Sequence, residues 1–207
     1  MKVLAVERAW SEWALSPEAV EAYELPMPTS LPVSMATDSA LVRKGTPLFI
    51  PDFARGWELH VEFYLTVTHL GKSIPARFAH RYFDGIGLCA RLLPPPHLMP
   101  LPHLDALTSN FDGAICPGMM VIPVESFGQA ESGQATIRIS TSAGQELSIP
   151  SGALHAADTV SFISRYMTLK TGDMIILCDT TLTTPVQPGL TFGADINGVP
   201  ALNIRMK

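Results

Sequence analysis

The sequence is short of charge and of cysteine, and each shortage excludes a class of function. Only 16% of its 207 residues are charged, the formal net charge is −5, and the basic residues are scattered. We therefore expect no nucleic-acid partner and no anionic membrane partner, because both need a concentrated basic surface. The three cysteines, Cys89, Cys116 and Cys178, are an odd number at wide spacing. This predicts free thiols in a reducing compartment and no structural zinc site.

Long apolar runs and several catalytic motifs are also missing. Residues 1–8 meet charge too early for a signal-peptide core, and the apolar run 115–124 is short and contains two prolines. We expect no membrane segment and, by default, a cytoplasmic location. The chain contains no Gly-x-Ser-x-Gly elbow, no Walker loop and no Gly-x-Gly-x-x-Gly run. Serine hydrolase, P-loop and dinucleotide-binding functions therefore have no support.

Apolar residues are plentiful, at 47%, which favours one folded unit with a sizeable core. The sequence patterns predict a mainly β protein with a few helices, of the α+β class. We expect residues 1–34 to hold a short strand, a helix and a proline-rich linker, and residues 35–207 to form the main domain. The predicted strands are 2–6, 48–50, 57–67, 119–124, 135–140, 174–177 and 201–206, and the predicted helices are 16–23, 76–88 and 156–167.

One predicted strand carries the most informative pattern. Residues 57–67 alternate, so that His60, Glu62 and Tyr64 lie on one face and apolar residues lie on the other. An imidazole and a carboxylate two residues apart can bind one cation, but two ligands make only half a site. A polar surface pair is the simpler explanation of the same pattern. A cation site needs a third ligand from elsewhere in the chain.

Besides this strand, the chain contains several motifs whose order resembles that of a known protein family. The motifs are residues 35–41, Pro51-Asp52-Phe53, His60-Val61-Glu62 with Leu70-Gly71-Lys72, residues 78–84, Phe111-Asp112-Gly113, residues 162–173 and residues 199–203. In this order they resemble the fumarylacetoacetate hydrolase family. The resemblance implies a mixed β-roll with a divalent cation in a cleft, commonly assembled as a homodimer. It also implies metal-dependent cleavage of acylpyruvates or other 1,3-dicarbonyl acids.

The metal-binding positions of that family match less well. Where the family strand reads Glu-x-Glu, this chain reads His60-x-Glu62, which leaves two candidate metal ligands and removes one negative charge. The resemblance places a third ligand, an Asp, roughly 25 to 30 residues after the strand. Sites for hard cations commonly take such oxygen ligands from loops. Here that stretch looks like a small deletion before Ala90-Arg91. The residues left open as replacement ligands are Asp84, Glu58 and Asp112.

The catalytic groups that the resemblance implies also differ. The family's Lys would stand where this chain has Ser109 or Asn110, and neither side chain carries a cation. The family's lid His has no counterpart in the run Ser11-Glu12-Trp13. Asp112 has a second explanation, as turn chemistry with the glycine that follows it. The candidate residues of the substrate cleft are Ser109, Asn110, Asp112 and Arg91.

These differences predict that the metal-dependent chemistry is lost or impaired, which leaves a pseudoenzyme or a small-molecule-binding relative. The alternative is an active, divergent hydrolase, decarboxylase or isomerase that uses replacement ligands. We expect no cofactor; a cation that did bind would be magnesium, manganese or, because of His60, a softer metal. The expected partners are a second copy of the chain, with the segment Pro94–Pro102 near the interface, and a small carboxylate-containing molecule.

Overall fold

The computed structural model describes residues 1–7, 33–43, 45–95, 107, 110–123, 133–152 and 154–207. In these residues strands predominate over helices. The strands are β1 (Val3–Val6), β2 (Val33–Ala36), β3 (Glu58–Val67), β4 (Phe83–Leu93), β5 (Ile115–Pro123), β6 (Gly133–Thr141), β7 (Glu146–Gly152), β8 (Met174–Pro185), β9 (Thr191–Ile196) and β10 (Val199–Arg205). The helices are α1 (Ala76–Ala79) and α2 (Ala156–Tyr166), and short 3-10 turns span Asp38–Ala40 and His80–Tyr82.

The described strands form two sheets. The larger sheet has the order β2-β1-β8-β3-β4-β5, and the smaller sheet has the order β10-β9-β6-β7. Every strand pair is antiparallel except β1 with β8, which is parallel. Two mostly antiparallel sheets with few helices confirm the predicted mainly β, α+β class.

Strand β3 lies inside the larger sheet and is buried on both faces. One face carries Leu59, Val61 and Phe63, each at most 1% exposed, into the main apolar core. The opposite face carries Tyr64 into a second, smaller apolar cluster, which it shares with Cys89 of β4. The alternation predicted for this strand is confirmed. At Glu62 and Tyr64 the face that bears the candidate ligands is therefore covered by other parts of the fold, while His60 is only half-buried.

Helix α2 confirms the helix predicted for residues 156–167, and it ends at Tyr166. Ser164 ties this helix to the loop before α1. Its Oγ accepts a hydrogen bond from the backbone N–H of Ile74 at 2.8 Å and donates one to the carbonyl of Ser161 at 2.9 Å. The buried hydroxyl group thus has partners for both its donor and its acceptor capacity.

The helix predicted for residues 76–88 is wrong beyond its first turn. Helix α1 ends at Ala79, and after a 3-10 turn the chain enters β4, which pairs with β3. Gly87 explains part of this error, because glycine disfavours helix and allows close packing between strands. A Cβ atom at Gly87 would lie 2.7 Å from the ring of Tyr64.

The strand predicted for residues 48–50 is also wrong. Leu48 forms only an isolated parallel bridge with Met206, and Phe49 is 63% exposed. Pro51 follows directly, and it has no backbone N–H with which to continue a strand ladder.

The other strand predictions correspond to β1, β3, β5, β6, β8 and β10, with β8 continuing further, to Pro185. Strands β2, β7 and β9 have no counterpart among the predictions. The helix predicted for residues 16–23 lies outside the described residues, as does most of the segment Pro94–Pro102. In the part of the chain that the structure describes, no helix is long and apolar enough to cross a membrane.

Candidate functional site

The polar part of β3 faces β4, and the register of this pair brings a cation to the candidate ligands. His60 is opposite Arg91, and Glu62 is opposite Cys89. Directly opposed residues of an antiparallel pair share a face, so Arg91 lies on the same face as His60 and Glu62. The pairing of β3 with β8 shifts register beside Glu62. Such bulges re-aim side chains and are frequent next to functional sites.

Glu62 and Arg91 form a buried, bidentate ion pair. Arg91 Nε donates to Glu62 Oε2 at 2.6 Å, and Arg91 Nη2 donates to Glu62 Oε1 at 2.8 Å. The side chains of Arg91 and Glu62 are 4% and 2% exposed. The planar guanidinium thereby engages both oxygens of the carboxylate. Arg91 follows Glu62 by 29 positions in the chain.

A second carboxylate joins this pair from the end of β1. Arg91 Nη1 donates to Glu7 Oε1 at 3.1 Å, and Arg91 Nη2 donates to Glu7 Oε2 at 3.2 Å. The hydroxyl of Ser34 in β2 also donates to Glu7 Oε1. The sequence analysis missed Glu7, because a lone Glu after an apolar strand carries no signal of a partner 84 positions away. We call Glu7, Glu62 and Arg91 the ion triad.

The guanidinium sets the charge state of the ion triad. Burial acts to lower the pKa of Arg91, but the charges and hydrogen bonds of Glu62 and Glu7 outweigh burial and raise it, so the arginine stays charged. Burial acts to raise the pKa of Glu7, but hydrogen bonds and charge from Arg91 bring it below its ordinary value. Burial raises the pKa of Glu62, and Arg91 limits that rise. One guanidinium thus interacts with two acidic groups and favours the charged form of each.

His60 lies beside the ion triad with partial access to solvent. Its side chain is 25% exposed, and its Nε2 lies 3.7 Å from Glu58 Oε2. Burial and the charge of Arg91 lower the pKa of His60, while Glu58 and Glu7 act in the opposite direction. The imidazole is therefore mostly neutral at pH 7 and adds little charge to the site.

Two of the remaining cleft candidates, Asn110 and Asp112, lie in the described part of the chain. Asn110 accepts a hydrogen bond from the backbone N–H of Thr37 at 2.9 Å and donates one to the carbonyl of Met35 at 3.3 Å, which ties its loop to β2. Asp112 is exposed and precedes Gly113, whose φ of +82° is the left-handed conformation of a turn. This geometry fits the turn explanation of Asp112. Ser109 lies outside the described residues.

The carboxylates that the sequence leaves open as replacement ligands do not extend the ion triad. Asp84 precedes Arg91 by seven residues on β4, which at about 3.3 Å per residue is about 23 Å along the strand. Glu58 contacts His60. Among the described residues, no group of three or more His, Cys, Asp or Glu side chains is arranged to hold a metal ion.

A divalent cation does not fit the ion triad as it is built. Magnesium and manganese need oxygen ligands that are free to coordinate them, and both oxygens of Glu62 accept hydrogen bonds from Arg91. A fixed positive charge at hydrogen-bond distance from that carboxylate also repels a second cation.

Two motifs of the family resemblance meet in an aromatic cluster. The rings of Phe53, Trp57 and Phe111 pack edge to face, with centroids 5.0, 5.2 and 5.4 Å apart. The indole N–H of Trp57 donates to the carbonyl of Pro51 at 2.8 Å. The cluster fixes the loop before β3 against the loop before β5, which accounts for both motifs through packing.

Comparison with known proteins agrees with this fold and these motifs. Residues 8–206 match the family model described as Fumarylacetoacetate (FAA) hydrolase C-terminal. The chain therefore belongs to the fumarylacetoacetate hydrolase family, and the resemblance found in the sequence is confirmed. It is similar to the mitochondrial oxaloacetate tautomerase FAHD1 of Mus musculus, with 22% identity over 176 residues that cover 82% of this chain and 77% of that protein.

Solved structures share the fold at low sequence identity. Fumarylpyruvate hydrolase from Pseudomonas aeruginosa, in complex with Mn²⁺ and pyruvate, has a TM-score of 0.72 and 18% identity, covering 99% of this chain and 88% of that one. The 5-carboxymethyl-2-hydroxymuconate delta-isomerase from Mycobacterium smegmatis has a TM-score of 0.75 and 17% identity, covering 99% and 78%. These likenesses establish the architecture of this chain. A Mn²⁺ ion is bound in the Pseudomonas relative.

Proposed function

We propose that this chain is a family member that does not carry out metal-dependent chemistry and that acts as a small-molecule-binding or scaffold protein. The observation that supports the proposal most is the state of Glu62. Both of its carboxylate oxygens are bound by Arg91 within the chain. A cation can polarise a substrate only where its ligands are free to hold it.

The proton chemistry of the ion triad supports the same proposal. The raised pKa of Arg91 keeps its guanidinium protonated, so it is unsuited to act as an acid or a base. Glu62 is 1% exposed, and a substrate would have to displace Arg91 to reach it. His60 is neutral and 25% exposed, so it is the group that an active, divergent enzyme would have to use.

The activities of two relatives, a fumarylpyruvate hydrolase and an oxaloacetate tautomerase, provide the reactions for a test. The purified full chain would be assayed for hydrolysis of fumarylpyruvate and for tautomerisation of oxaloacetate, each followed by ultraviolet absorbance. Each assay would contain Mn²⁺, Mg²⁺ or a chelator, and an active hydrolase of the family would serve as the positive control. We expect the rates to equal those of buffer alone under all three conditions.

Two results would contradict this proposal. Turnover that requires an added cation and is lost in Glu62→Gln would establish a metal-dependent enzyme with replacement ligands. Turnover that needs no cation and is lost in His60→Ala would establish a divergent enzyme of another mechanism. In either case the chain would be a hydrolase, decarboxylase or isomerase of the family rather than a pseudoenzyme.

The proposal includes a homodimer, a small carboxylate-containing ligand and a cytoplasmic location. Size-exclusion chromatography with light scattering tests the dimer, and a monomer at every concentration would count against it. A thermal-shift screen of small dicarboxylates tests the ligand, since a ligand that binds only the folded state raises the unfolding temperature. Cell fractionation tests the location, and recovery in an organelle would count against it.

A further inference from the structure

The ion triad holds more negative charge than an ion pair requires. Glu62 and Glu7 bring two carboxylates to one guanidinium, and four of the five N–H donors of Arg91 bind them. The two acids come from β3 and from the end of β1, while the arginine comes from β4. Carboxylates that converge in a buried place lose hydration and repel each other, so a cation between them is needed for both to stay charged.

We propose that Arg91 is the resident cation of this site, and that its guanidinium occupies the carboxylates which would otherwise bind a divalent metal. The side chain is 4% exposed, bidentate to Glu62 and bonded to both oxygens of Glu7. It stands opposite His60, the other candidate ligand, so its positive charge lies beside both members of the His60-x-Glu62 pattern. The charge that a metal would bring is instead part of the chain.

A second arginine in the protein provides a matched control. Arg138 and Glu146 pair on the smaller sheet, with Arg138 Nε 3.3 Å from Glu146 Oε1. Their side chains are 53% and 64% exposed. This cation meets one acid in water, where ion pairs contribute little and are screened by salt. If Arg91 is a resident cation, replacing it should change both the binding of metal and the energetic coupling to its acid partner. Replacing Arg138 should change neither.

The first experiment exchanges the charge at position 91. The inference rests on the proposed function in that both concern Glu62, but its readout is metal binding and not turnover. Wild type, Arg91→Asp and the control Arg138→Asp would be titrated with MnCl₂, and the free Mn²⁺ would be followed by electron paramagnetic resonance. We expect saturable binding of one Mn²⁺ per chain in Arg91→Asp and none in the other two. Addition of Mn²⁺ should also raise the unfolding temperature of Arg91→Asp alone.

Two outcomes of that titration would overturn the inference. One is saturable Mn²⁺ binding by wild type that Glu62→Gln removes, since the guanidinium would then not exclude the metal. The other is a folded Arg91→Asp that binds no Mn²⁺. In this second case the proposed function would stand unchanged, because it depends on the wild-type assays. Metal-free turnover by wild type would instead end the proposed function and leave the inference intact.

A second set of variants keeps the inference testable if Arg91→Asp does not fold. Urea unfolding midpoints would be compared for wild type, Arg91→Gln, Glu62→Gln and the double variant. If Arg91 serves as the cation for Glu62, the double variant should recover part of the midpoint that Arg91→Gln loses. A double variant that loses the full sum of the two single losses would overturn the inference, because the arginine would then not act as the cation for Glu62.

Discussion

Ionic contacts hold both ends of β1, but the two contacts are built differently. At the start of the strand, Lys2 Nζ lies 2.6 Å from Asp173 Oδ2, and the backbone N–H of Lys2 donates to Asp173 Oδ1 at 2.8 Å. Asp173 also accepts a hydrogen bond from the backbone N–H of Lys170 at 2.8 Å. At the other end, Glu7 meets Arg91, which is already paired with Glu62.

The two ends of β1 differ in their balance of charge, and this difference distinguishes a structural anchor from a candidate functional site. At the Lys2 end, one carboxylate meets one ammonium group, so the charges cancel, and the cation remains 25% exposed. That arrangement is enough to hold a strand in place. At the Glu7 end, two carboxylates share one buried cation, and this excess of negative charge is not needed by an anchor. It indicates that the Glu7 end has the further task that we infer for Arg91.

The largest expected effect comes from removing the shared cation. Arg91→Met keeps most of the apolar volume of the side chain but leaves Glu62 buried without a partner, which costs about 3 to 5 kcal/mol of unfolding free energy. Urea unfolding of the purified protein measures this loss. Arg138→Met is the control, and we expect a change within about 0.5 kcal/mol because that pair is exposed. Equal losses in the two variants would contradict the view that Arg91 is a buried cation on which Glu62 depends.

The difficulty of predicting this site from sequence has a physical cause. The alternation in β3 is a local property, and it placed His60 and Glu62 on one face correctly. The pairing of Glu62 with Arg91 depends on the register of β3 and β4. The pairing of Glu7 with Arg91 depends on where β1 enters the sheet. Neither dependence is local, so the sequence named Arg91 as a cleft residue and did not name Glu7.

The fold was predictable where pattern and burial agree. Helix α2 has a strong apolar stripe along its length, and the prediction ends within one residue of its observed end. Residues 76–88 begin with a helix-forming run, Ala76–Ala79, and this local preference conceals the strand that follows. Pairing of β4 with β3 and β5 overrides that preference, as tertiary contacts commonly do.

The second prediction removes the anchor itself. Asp173→Asn keeps the shape of the side chain but takes away the charge that accepts hydrogen bonds from Lys2 and Lys170. Hydrogen bonds to a charged group contribute about 2 kcal/mol, so we expect a loss of that size, smaller than for Arg91→Met. Amide hydrogen exchange should show faster exchange in β1 than in β3. Faster exchange throughout the larger sheet would instead place Asp173 in the global core.

The pH dependence of the anchor gives a third prediction. Burial acts to raise the pKa of Asp173, but hydrogen bonds from Lys2 and Lys170 and the charge of Lys2 bring it below its ordinary value of 3.8. The folded pKa is thus lower than the unfolded one, so the carboxylate stabilises the fold above about pH 4 and this contribution is lost as pH falls through the folded pKa. The stability difference between wild type and Asp173→Asn should therefore shrink below about pH 4 in urea titrations.

The smallest expected effect comes from the half-buried ammonium partner of the anchor. Lys2→Met removes an ammonium group that is 25% exposed and that also donates to the carbonyl of Thr168 at 3.1 Å. Asp173 keeps its two backbone N–H donors in this variant, so the loss should be only about 1 kcal/mol, and 1 M NaCl should reduce it because the ammonium reaches solvent. The loss in Arg91→Met should persist in the same salt, because the ion triad is buried. If salt reduced both losses equally, burial would not distinguish the two ends of β1, and the contrast drawn between them would fail.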